Sequence, residues 1–503
     1  MKDIETDVVV VGCGNAAMAA AGSAHEAGAR VVVLEKLPEA ERGGNSAHSF
    51  AGVFRFPHNG IRDLLPLVPP MPETEVERHD IPPYTRDDFY ADLMRVTQGR
   101  ADPTLTELLV TQARDTVEWM VRWGVGFELH YVDAVEVGGR IRLPRGAVAV
   151  HAYDGGLGAV DAWIRVLRPR GVQVLFDTGA VELLVDEAGA VQGVVAQDAE
   201  GRGTIRAKGV VLGCGGFGAS PEMRARYLGP GWDLVKVRGS RANTGDGLTM
   251  ALAIGAQPYG HFSGCHASPI DADAPDMSGA FLKPGERGAV THRYFWNLGV
   301  VVNIQGQRFL DEGEDIHNYT YAKTGRRILQ QPGGVAHQIF DAKTRPLLPE
   351  MFYAGATPTV ASTIAELADL LDIRREALVT TVADFNAAVV DDRPFDPVNK
   401  DGRLTQGITP AKSNWAQRLD TPPYTAFGMT CGLTFTFGGL KINTRCQVLS
   451  TQEQPIQGLY AAGEMTGGFF YHNYPGGSGL VRGAVTGRIA GRNAAQDAGI
   501  RPS

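Results

Sequence analysis

The segment "VVVVGCGNAAMAAAGSAHEAGARVVVLEK", residues 8–36, contains a strand, a glycine turn, a helix and a second strand in that order. Residues 8–11 are an unbroken β-branched run, which is typical of a strand buried on both faces of a parallel sheet. Gly12 and Gly14 allow a sharp turn and a close approach of the backbone to a ligand, and the small Ala17 lets the helix lie near the strand. The segment therefore predicts a nucleotide-binding unit.

Glu35 stands at the end of the second strand. An acid roughly 20 residues beyond such glycines can accept hydrogen bonds from both hydroxyls of an adenosine ribose, while the helix N-terminus attracts a pyrophosphate. The same acid would repel a 2′-phosphate, which disfavours NADP. We expect a dinucleotide here, and at this point both FAD and NAD stay open.

The composition sets limits on the rest of the chain. Its 503 residues predict two or three domains, and its net charge of −8 argues against a nucleic-acid partner. The five cysteines have no paired or metal-ligand spacing, so we expect a reducing compartment and no metal. We find no signal sequence before the first strand and no apolar run near the ~20 residues of a membrane span. These features predict a cytoplasmic protein.

Residues 257–425 lack the glycine-and-strand rhythm of the segments on either side. The rhythm returns in "TFTFGGLKI" and "PIQGLYAAGE". We therefore predict an α/β fold in which a Rossmann-like nucleotide-binding domain is built from both chain ends, residues 1–256 and 426–503. A second domain, residues 257–425, interrupts it.

The segment "GLYAAGEMTGGFFYHNYPGGSGLVRGAVTGRIAG", residues 458–491, carries a second ligand signal. A short apolar strand leads into Gly463 and Glu464, and the glycines of "PGGSG" open a helix with free backbone amides. Two helix N-termini directed at one ligand indicate a long, two-part cofactor. FAD fits this pattern better than NAD.

These residues resemble the FAD-dependent fumarate reductase and succinate dehydrogenase flavoprotein superfamily. The resemblance covers nearly the whole chain, through the first glycine turn with Glu35 and the blocks "GGNS", "NTGDG", "GQRFLDE", "FGGLKI" and "GLYAAGE". Within it, "RGGNSAHS", "SGCHA", "DEGEDIHNYTYAK" and "FYHNYPGGSGL" are most similar to the tricarballylate dehydrogenase group. The resemblance implies FAD, an α+β capping domain at 257–425, and hydride exchange between flavin N5 and a carbon next to an activating group. It also implies noncovalent FAD, because relatives with a histidine tether place it a few residues before His48.

The resemblance also implies which residues hold the cofactor. The first glycine turn would meet the pyrophosphate and Glu35 the ribose, Val181 would meet the adenine, and the start of the last helix would meet the isoalloxazine. The implied set is Gly12, Gly14, Asn15, Ala17, Glu35, Lys36, Gly44, Asn45, Ser46, Gly52, Val181, Asp246, Gly463, Glu464, Ser478, Gly479 and Leu480.

Two departures from the superfamily bear on the substrate. Fumarate reductases place a His and a carboxylate-binding Arg shortly before the last glycines, where this chain has Phe470 and Tyr474. Their Arg proton donor falls in a neighbourhood that here reads Asp, Ile, His, Asn at 315–318. Fumarate itself is therefore not the expected substrate, and the substrate and the direction of reaction stay open.

Five residues are candidates for catalysis. His317 is the candidate base, because an imidazole changes protonation near neutral pH. Tyr474 and His472 precede the last helix and can donate hydrogen bonds to a carbonyl or carboxylate. Arg293 is a candidate carboxylate fork, and His266 is a further candidate. Each has a structural alternative: a structural histidine, an aromatic cluster, or an arginine at the start of a strand.

Two other functions compete with a tricarballylate-like dehydrogenation or its reversal. "NYPGG" is also similar to 3-ketosteroid dehydrogenases, in which the Tyr polarises a carbonyl. The loss of the usual Arg suggests a non-catalytic flavin redox sensor. In the enzymatic case, a small molecule is the substrate and a separate electron acceptor, such as a membrane iron–sulfur protein, reoxidises the flavin. The chain itself has no iron–sulfur or haem motif.

Overall fold

The computed structural model describes residues 1–274, 276 and 292–500. They form two compact units. The first comprises Met1–Tyr131, Val148–His266 and Thr434–Ser503, and the second comprises Val132–Ala147 and Ala267–Leu433. The domain boundaries expected from the sequence, at residues 257 and 425, stay a prediction.

A six-stranded sheet lies at the centre of the first unit. Its strand order is Gln173–Leu175, Val31–Leu34, Val8–Val11, Gly209–Leu212, Pro455–Ala461 and Gln447–Leu449. Neighbouring strands are parallel except at the last pair, which is antiparallel. Val8, Val9 and Val10 have no exposed surface, as expected for a parallel strand covered on both faces.

The first unit also contains shorter strands and ten α-helices. A four-stranded sheet has the order Ile4–Glu5, Gly201–Arg206, Val191–Asp198 and Gly179–Val185. The remaining strands of this unit are Val53–Phe54, His79–Asp80, Phe127–Leu129, Val150–Ala152, Lys236–Val237, Pro258–Tyr259 and Gly439–Leu440. The described helices are Asn15–Glu26, Gly44–Ala47, Ile61–Leu64, Glu73–Arg78, Arg86–Val96, Pro103–Arg122, Gly155–Leu167, Pro221–Met223, Asp246–Ala253 and Ser478–Asp497.

The helices Asn15–Glu26 and Ser478–Asp497 pack closely against each other. A Cβ on Gly487 would lie 2.2 Å from the carbonyl oxygen of Ala16, so only glycine permits this separation. The final strand, Pro455–Ala461, pairs with Gly209–Leu212 in the same sheet. The predicted α/β fold, with a nucleotide-binding domain built from both chain ends, is therefore confirmed.

The second unit is built around the long strand Tyr424–Thr436. Strands Val335–Phe340, Thr359–Ala361 and Cys265–Asp271 pair with it, and Val300–Asn303 follows Val335–Phe340. The unit also contains the hairpin Val135–Val137 and Arg140–Arg142 and the helices Tyr321–Leu329, Glu350–Tyr353, Ile364–Leu370 and Arg375–Ala388. Its apolar core places Leu378, Val382 and Phe385 of the last of these helices against the sheet.

Candidate cofactor and catalytic site

The glycine turn that follows the strand Val8–Val11 lies directly against the end of the strand Gly209–Leu212. Gly12 has a φ of +104°, and a Cβ there would lie 2.7 Å from the carbonyl oxygen of Gly213. Its backbone N–H donates to the carbonyl of Leu34 over 2.7 Å. Gly12 therefore supplies both the left-handed backbone and the lack of a side chain that this turn requires.

A cavity lies beyond the carboxyl ends of the parallel strands, where nucleotides bind in open α/β sheets. Residues that directly follow three of these strands line it, and the loop after the fourth contributes Glu464. The lining comprises residues 11–16, 34–36, 44–46, 178–180 and 213–215, together with Ser240, Ala242, Asn243, Asp246 and Glu464.

Glu35 is oriented by the backbone around it. Its two carboxylate oxygens accept hydrogen bonds from the N–H groups of Cys13, at 3.2 Å, and Leu37, at 3.0 Å. Burial raises the pKa of Glu35, and these two donors oppose the rise. The carboxyl group is thus held in place at the cavity wall, and its ribose-binding role stays a prediction.

Glu464 joins three separate segments of the first unit. Its carboxylate accepts hydrogen bonds from the side-chain amides of Asn45 and Asn243 and from both the N–H and the hydroxyl of Thr436, over 2.8–3.2 Å. The backbone N–H of Ser240 donates to Asn45. Burial raises the pKa of Glu464. This network fixes the wall of the cavity opposite the glycine turn.

Lys36 and Asp246 form an ion pair at the cavity, with Nζ and Oδ2 2.6 Å apart. The hydroxyl of Thr244 hydrogen-bonds with both side chains. Both charged groups are partly exposed, so the pair contributes little net stability. The pair places one positive and one negative group at the edge of the cavity.

The start of the last helix meets the glycine turn directly. The side-chain amide of Asn15 donates to the carbonyl of Leu480 over 2.8 Å, and its backbone N–H donates to the hydroxyl of Ser46 over 3.0 Å. The hydroxyl of Ser478 is fully buried and has no hydrogen-bond partner among the described residues. An unsatisfied hydroxyl at a helix N-terminus fits a polar ligand such as FAD.

The structure places the predicted cofactor residues in two groups. Ten of them line the cavity: Gly12, Gly14, Asn15, Glu35, Lys36, Gly44, Asn45, Ser46, Asp246 and Glu464. The other seven lie outside its lining. Ala17 packs under Gly213, Gly52 packs against Gly155, and Val181 is 39% exposed. The remaining four lie in or near the last helix: Gly463, Ser478, Gly479 and Leu480. Their roles at the cofactor stay predictions.

Sequence reasoning did not assign several lining residues. Asn243, Ser240 and residues 178–180 contribute to the cavity. Asn243 falls in the "NTGDG" block and Gly213–Gly215 in "GVVLGCGGFG", so motif blocks pointed to these segments without naming the contacts. No local pattern indicates residues 178–180, which reach the cavity through the turn into the strand Gly179–Val185.

Tyr474 and His266 lie together in an aromatic cluster of the first unit. Their ring centroids are 5.1 Å apart, and each ring also contacts Phe435. Burial lowers the pKa of His266 well below its usual value, so the imidazole is neutral at pH 7. His472 is exposed and its ring centroid lies 4.8 Å from that of His261.

His317 is buried in the second unit beside Asp133. Its Nδ1 lies 3.2 Å from an oxygen of Asp133, and its Nε2 lies 3.2 Å from the side-chain nitrogen of Asn318. This arrangement suits the tautomer with the proton on Nδ1. Burial lowers the pKa of His317, and the Asp133 carboxylate opposes the shift. Tyr294 stacks on the imidazole at a centroid distance of 5.1 Å. Sequence reasoning missed Asp133, for which no motif exists.

Arg293 is almost fully buried in the same unit. It forms an ion pair with Asp271 and donates to the carbonyls of His292 and Phe352. These partners satisfy most of the guanidinium group, and its role as a substrate fork stays a prediction. Arg308 of the "GQRF" turn pairs with Glu312, four residues further along the chain.

Comparison with known proteins agrees with this geometry. Residues 7–481 match the profile of the family described as an FAD binding domain. The chain belongs to this FAD-binding family. The cavity with the glycine turn at Gly12 fits that cofactor, and so does the unsatisfied hydroxyl of Ser478 at the start of the last helix. FAD is thus confirmed, and its noncovalent attachment stays a prediction.

Two curated proteins and one solved structure illustrate what this chain is similar to. NADH:fumarate oxidoreductase of Klebsiella pneumoniae is 29% identical over 98% of this chain, which spans 48% of that relative's length. 3-Oxosteroid 1-dehydrogenase of Mycolicibacterium smegmatis is 27% identical, over 97% of this chain and 96% of the relative. The open conformation of a flavocytochrome c3 fumarate reductase superposes with a TM-score of 0.71, at 27% identity, over 98% of this chain and 79% of that one.

These likenesses support the predicted superfamily, whereas the tricarballylate dehydrogenase group stays a hypothesis. The three relatives are oxidoreductases, which is the enzyme class that the sequence predicts. Within residues 1–274 and 292–500, no helix combines the length and the apolarity needed to cross a bilayer.

Proposed function

We propose that this chain is an FAD-dependent oxidoreductase that acts on a C–C bond next to a carboxylate or carbonyl. The observation that carries the proposal is the cavity that joins the glycine turn, Glu35 and the Glu464 network at the carboxyl ends of the parallel strands. When bound, FAD supplies a hydride acceptor or donor at N5. The names of the fumarate-reducing and steroid-oxidising relatives support the C–C bond as the reaction site.

His317 is the proposed proton-transferring residue. In the dehydrogenation direction, the Asn318 side chain gives up its hydrogen bond to Nε2, which then accepts the proton that leaves the carbon next to the activating group; in the reductive direction Nε2 returns a proton. Asp133 is the proposed positioning residue, because it holds Nδ1–H and stabilises the imidazolium that forms. The low pKa of the buried imidazole keeps Nε2 free of a proton at neutral pH.

Tyr474 is the proposed hydrogen-bond donor to the activating group. Its ring is held by Phe435, Phe470 and the neutral His266 and is buried, and a hydrogen bond made in a buried site is stronger than in water. Arg293 and His472 are kept as further catalytic proposals. In this scheme a tricarballylate-like polycarboxylate is the substrate, and a separate electron acceptor closes the cycle.

A 3-ketosteroid-dehydrogenase-like desaturase is the second candidate. The buried Tyr474 in "NYPGG" favours it, since a tyrosine hydroxyl suits a ketone better than a carboxylate. The Mycolicibacterium relative, which this chain matches over almost its full length, also favours it.

Anaerobic titration of the purified holoprotein with a panel of substrates tests these proposals. The flavin absorbance is followed while tricarballylate, fumarate, other small carboxylic acids and a 3-ketosteroid are added in turn. Bleaching by tricarballylate supports the leading proposal, and bleaching by the steroid alone selects the second. If neither class, nor the corresponding unsaturated acids with dithionite-reduced protein, changes the flavin, the redox-sensor function replaces both. Rapid bleaching by NADH alone contradicts the separate electron acceptor.

A further inference from the structure

Arg482 is a buried cation that has no polar partner in the described part of the chain. It lies in the last helix, is 2% exposed, and its Nε has no hydrogen-bond partner among the described residues. Its other two guanidinium nitrogens also form no hydrogen bond and no ion pair with the described residues. The guanidinium carries five N–H donors, so its burial costs several kcal/mol by the usual order of magnitude unless an acceptor meets it.

Three other buried arginines have acceptors among the described residues, although the Nε of Arg224 and of Arg293 has none. Arg293 bonds to Asp271 and two carbonyls, Arg308 pairs with Glu312, and Arg224 donates to three carbonyl oxygens. Arg482 instead has aromatic faces around it, with its guanidinium carbon 4.7 Å from the ring centroid of Phe470 and 5.7 Å from that of Phe435. Cation–π contacts stabilise the charge but leave the N–H donors without acceptors.

The position of Arg482 in the helix relates it to the cofactor cavity. Helical side chains lean toward the N-terminus, and Ser478, one turn earlier on the same face, is the buried hydroxyl without a partner. Thr486, one turn later, accepts a hydrogen bond from the N–H of Gly463. This helix face is therefore the one directed toward the loop that carries Glu464 of the cavity wall.

The charge of Arg482 persists despite its burial. Burial lowers its pKa to about 10, which still leaves it protonated at neutral pH. Glu464 and Tyr474 are the acidic groups that act on it, and Arg482 in turn opposes the rise in the pKa of Glu464. The positive end of the helix dipole adds to this positive potential near Ser478.

We propose that Arg482, together with Ser478, is the electrostatic partner of the pyrimidine edge of FAD and raises the reduction potential of the bound cofactor. That edge carries the carbonyl and nitrogen acceptors of the ring and gains negative charge when FAD is reduced. A fixed cation in a water-free aromatic surrounding stabilises that charge without reorganisation. The inference rests on the proposed cofactor but does not depend on the substrate.

The test is the midpoint potential of the holoprotein, measured anaerobically against an equilibrating dye. Arg482→Met keeps the volume and removes the charge, whereas Arg482→Lys keeps the charge without the planar fork. Arg488→Met is the matched control, because Arg488 lies in the same helix and also has its guanidinium over an aromatic ring, that of Trp119. Ser478→Ala is a second arm that leaves the cation in place.

We expect Arg482→Met to bind reduced FAD about a hundredfold less tightly relative to oxidised FAD, which lowers a two-electron potential by about 60 mV. Arg482→Lys and Ser478→Ala should lower it less, and Arg488→Met should not change it. The apoprotein of Arg482→Met should be as stable as the wild type or more stable, because an uncompensated charge is gone.

An unchanged potential in Arg482→Met, or in Ser478→Ala if the first variant does not take up FAD, overturns the inference. So does a variant that keeps its potential but loses affinity for small carboxylates, since the acceptor would then be a substrate carboxylate. The potential is measured against a dye, so the measurement needs no substrate. If the variants shift the potential as expected but the protein turns over none of the substrates, only the proposed function is rejected.

Discussion

The side-chain amide of Asn15 donates a 2.8 Å hydrogen bond to the main-chain carbonyl of Leu480, 465 residues further along the chain. This bond links the N-terminal ends of the first and the last long helix of the nucleotide-binding unit. Both helix ends lie at the glycine turn, so the position of one controls the cavity built on the other. The close packing of these two helices is therefore a condition for cofactor binding.

Gly487→Ala should destabilise the protein and reduce its FAD content. The new Cβ would lie 2.2 Å from the carbonyl oxygen of Ala16, which forces the two helices apart. We expect the free energy of unfolding to fall by about 1–3 kcal/mol, the usual cost of overpacking. Thermal unfolding and the flavin-to-protein absorbance ratio measure both effects. Gly126→Ala is the control, because its Cβ would meet only Tyr153 at 3.5 Å; equal losses in both variants would contradict the packing argument.

Glu35→Ala should weaken FAD binding. Hydrogen bonds to a charged group contribute roughly 1.5–3 kcal/mol, which predicts an increase in the Kd of about 10- to 100-fold. Flavin fluorescence quenching on titration of the apoprotein measures the Kd. The variant also removes the acceptor for Cys13 and Leu37, so the stability of the apoprotein is measured separately.

Glu39→Ala is the matched control for Glu35. Glu39 is half-exposed and its carboxylate pairs with Arg168 on the surface. It should leave the Kd unchanged. A wild-type Kd in Glu35→Ala would remove Glu35 from the ribose-binding role.

His317→Gln should lower the rate of flavin reduction by a verified substrate about 10²- to 10⁴-fold, the usual contribution of a general base. Asp133→Asn should lower it too, and it should move the acidic limb of the kcat/KM profile to lower pH. The sign follows because Asp133 raises the pKa of His317, so its removal lets that pKa fall further. Stopped-flow reduction at several pH values measures both effects.

Glu314→Gln controls for changes in the charge of this segment. Glu314 is exposed and pairs with Lys323, so the variant should keep the wild-type rate and pH profile. Should His317→Gln reduce its flavin as fast as Glu314→Gln, the proton-transfer role of His317 would be wrong.

His58 should make the protein sensitive to acid. Burial lowers its pKa to about 4, and its Nδ1 accepts a hydrogen bond from Gly60. The unfolded imidazole titrates near 6.5. The stability from the neutral group is thus complete above that pH and is lost as the pH falls toward 4, by about 2 kcal/mol at pH 5.

His58→Asn keeps an acceptor for Gly60 and should flatten this pH dependence. Urea unfolding at pH 7.5 and pH 5 measures the difference in free energy, which should shrink by about 2 kcal/mol relative to the wild type. His472→Asn, at an exposed position, should retain the wild-type difference. A wild-type difference in His58→Asn would show that another group dominates the acid response.

Several parts of the site could be predicted because they depend on local backbone chemistry. The valine run, Gly12 and Glu35 follow one another within one unit of strand, turn and strand, so spacing alone places the acid at the cavity. Lys36 and Asp246 were assigned by resemblance, and both line the cavity. The pairing of Arg308 with Glu312 is also local, four residues apart.

Other parts could not be predicted, because they join residues with no relation along the chain. Asn243 bonds to Glu464 across 221 positions, and Asp133 reaches His317 across 184. Arg293 carries the residue type of a carboxylate fork, yet its guanidinium bonds to Asp271 and to main-chain carbonyls. Nothing in the pattern around Arg482 distinguishes it from a surface arginine.

The sequence by itself determined the parallel nucleotide-binding sheet, its glycine turn and the acid at the end of the second strand, because side-chain periodicity and glycine spacing restrict the backbone directly. The tertiary structure decided which polar groups meet: it paired His317 with Asp133, brought three distant segments to Glu464 and left Arg482 among aromatic rings. Such contacts depend on how distant segments pack, and the energy of a buried charge is set by those neighbours rather than by its place in the chain.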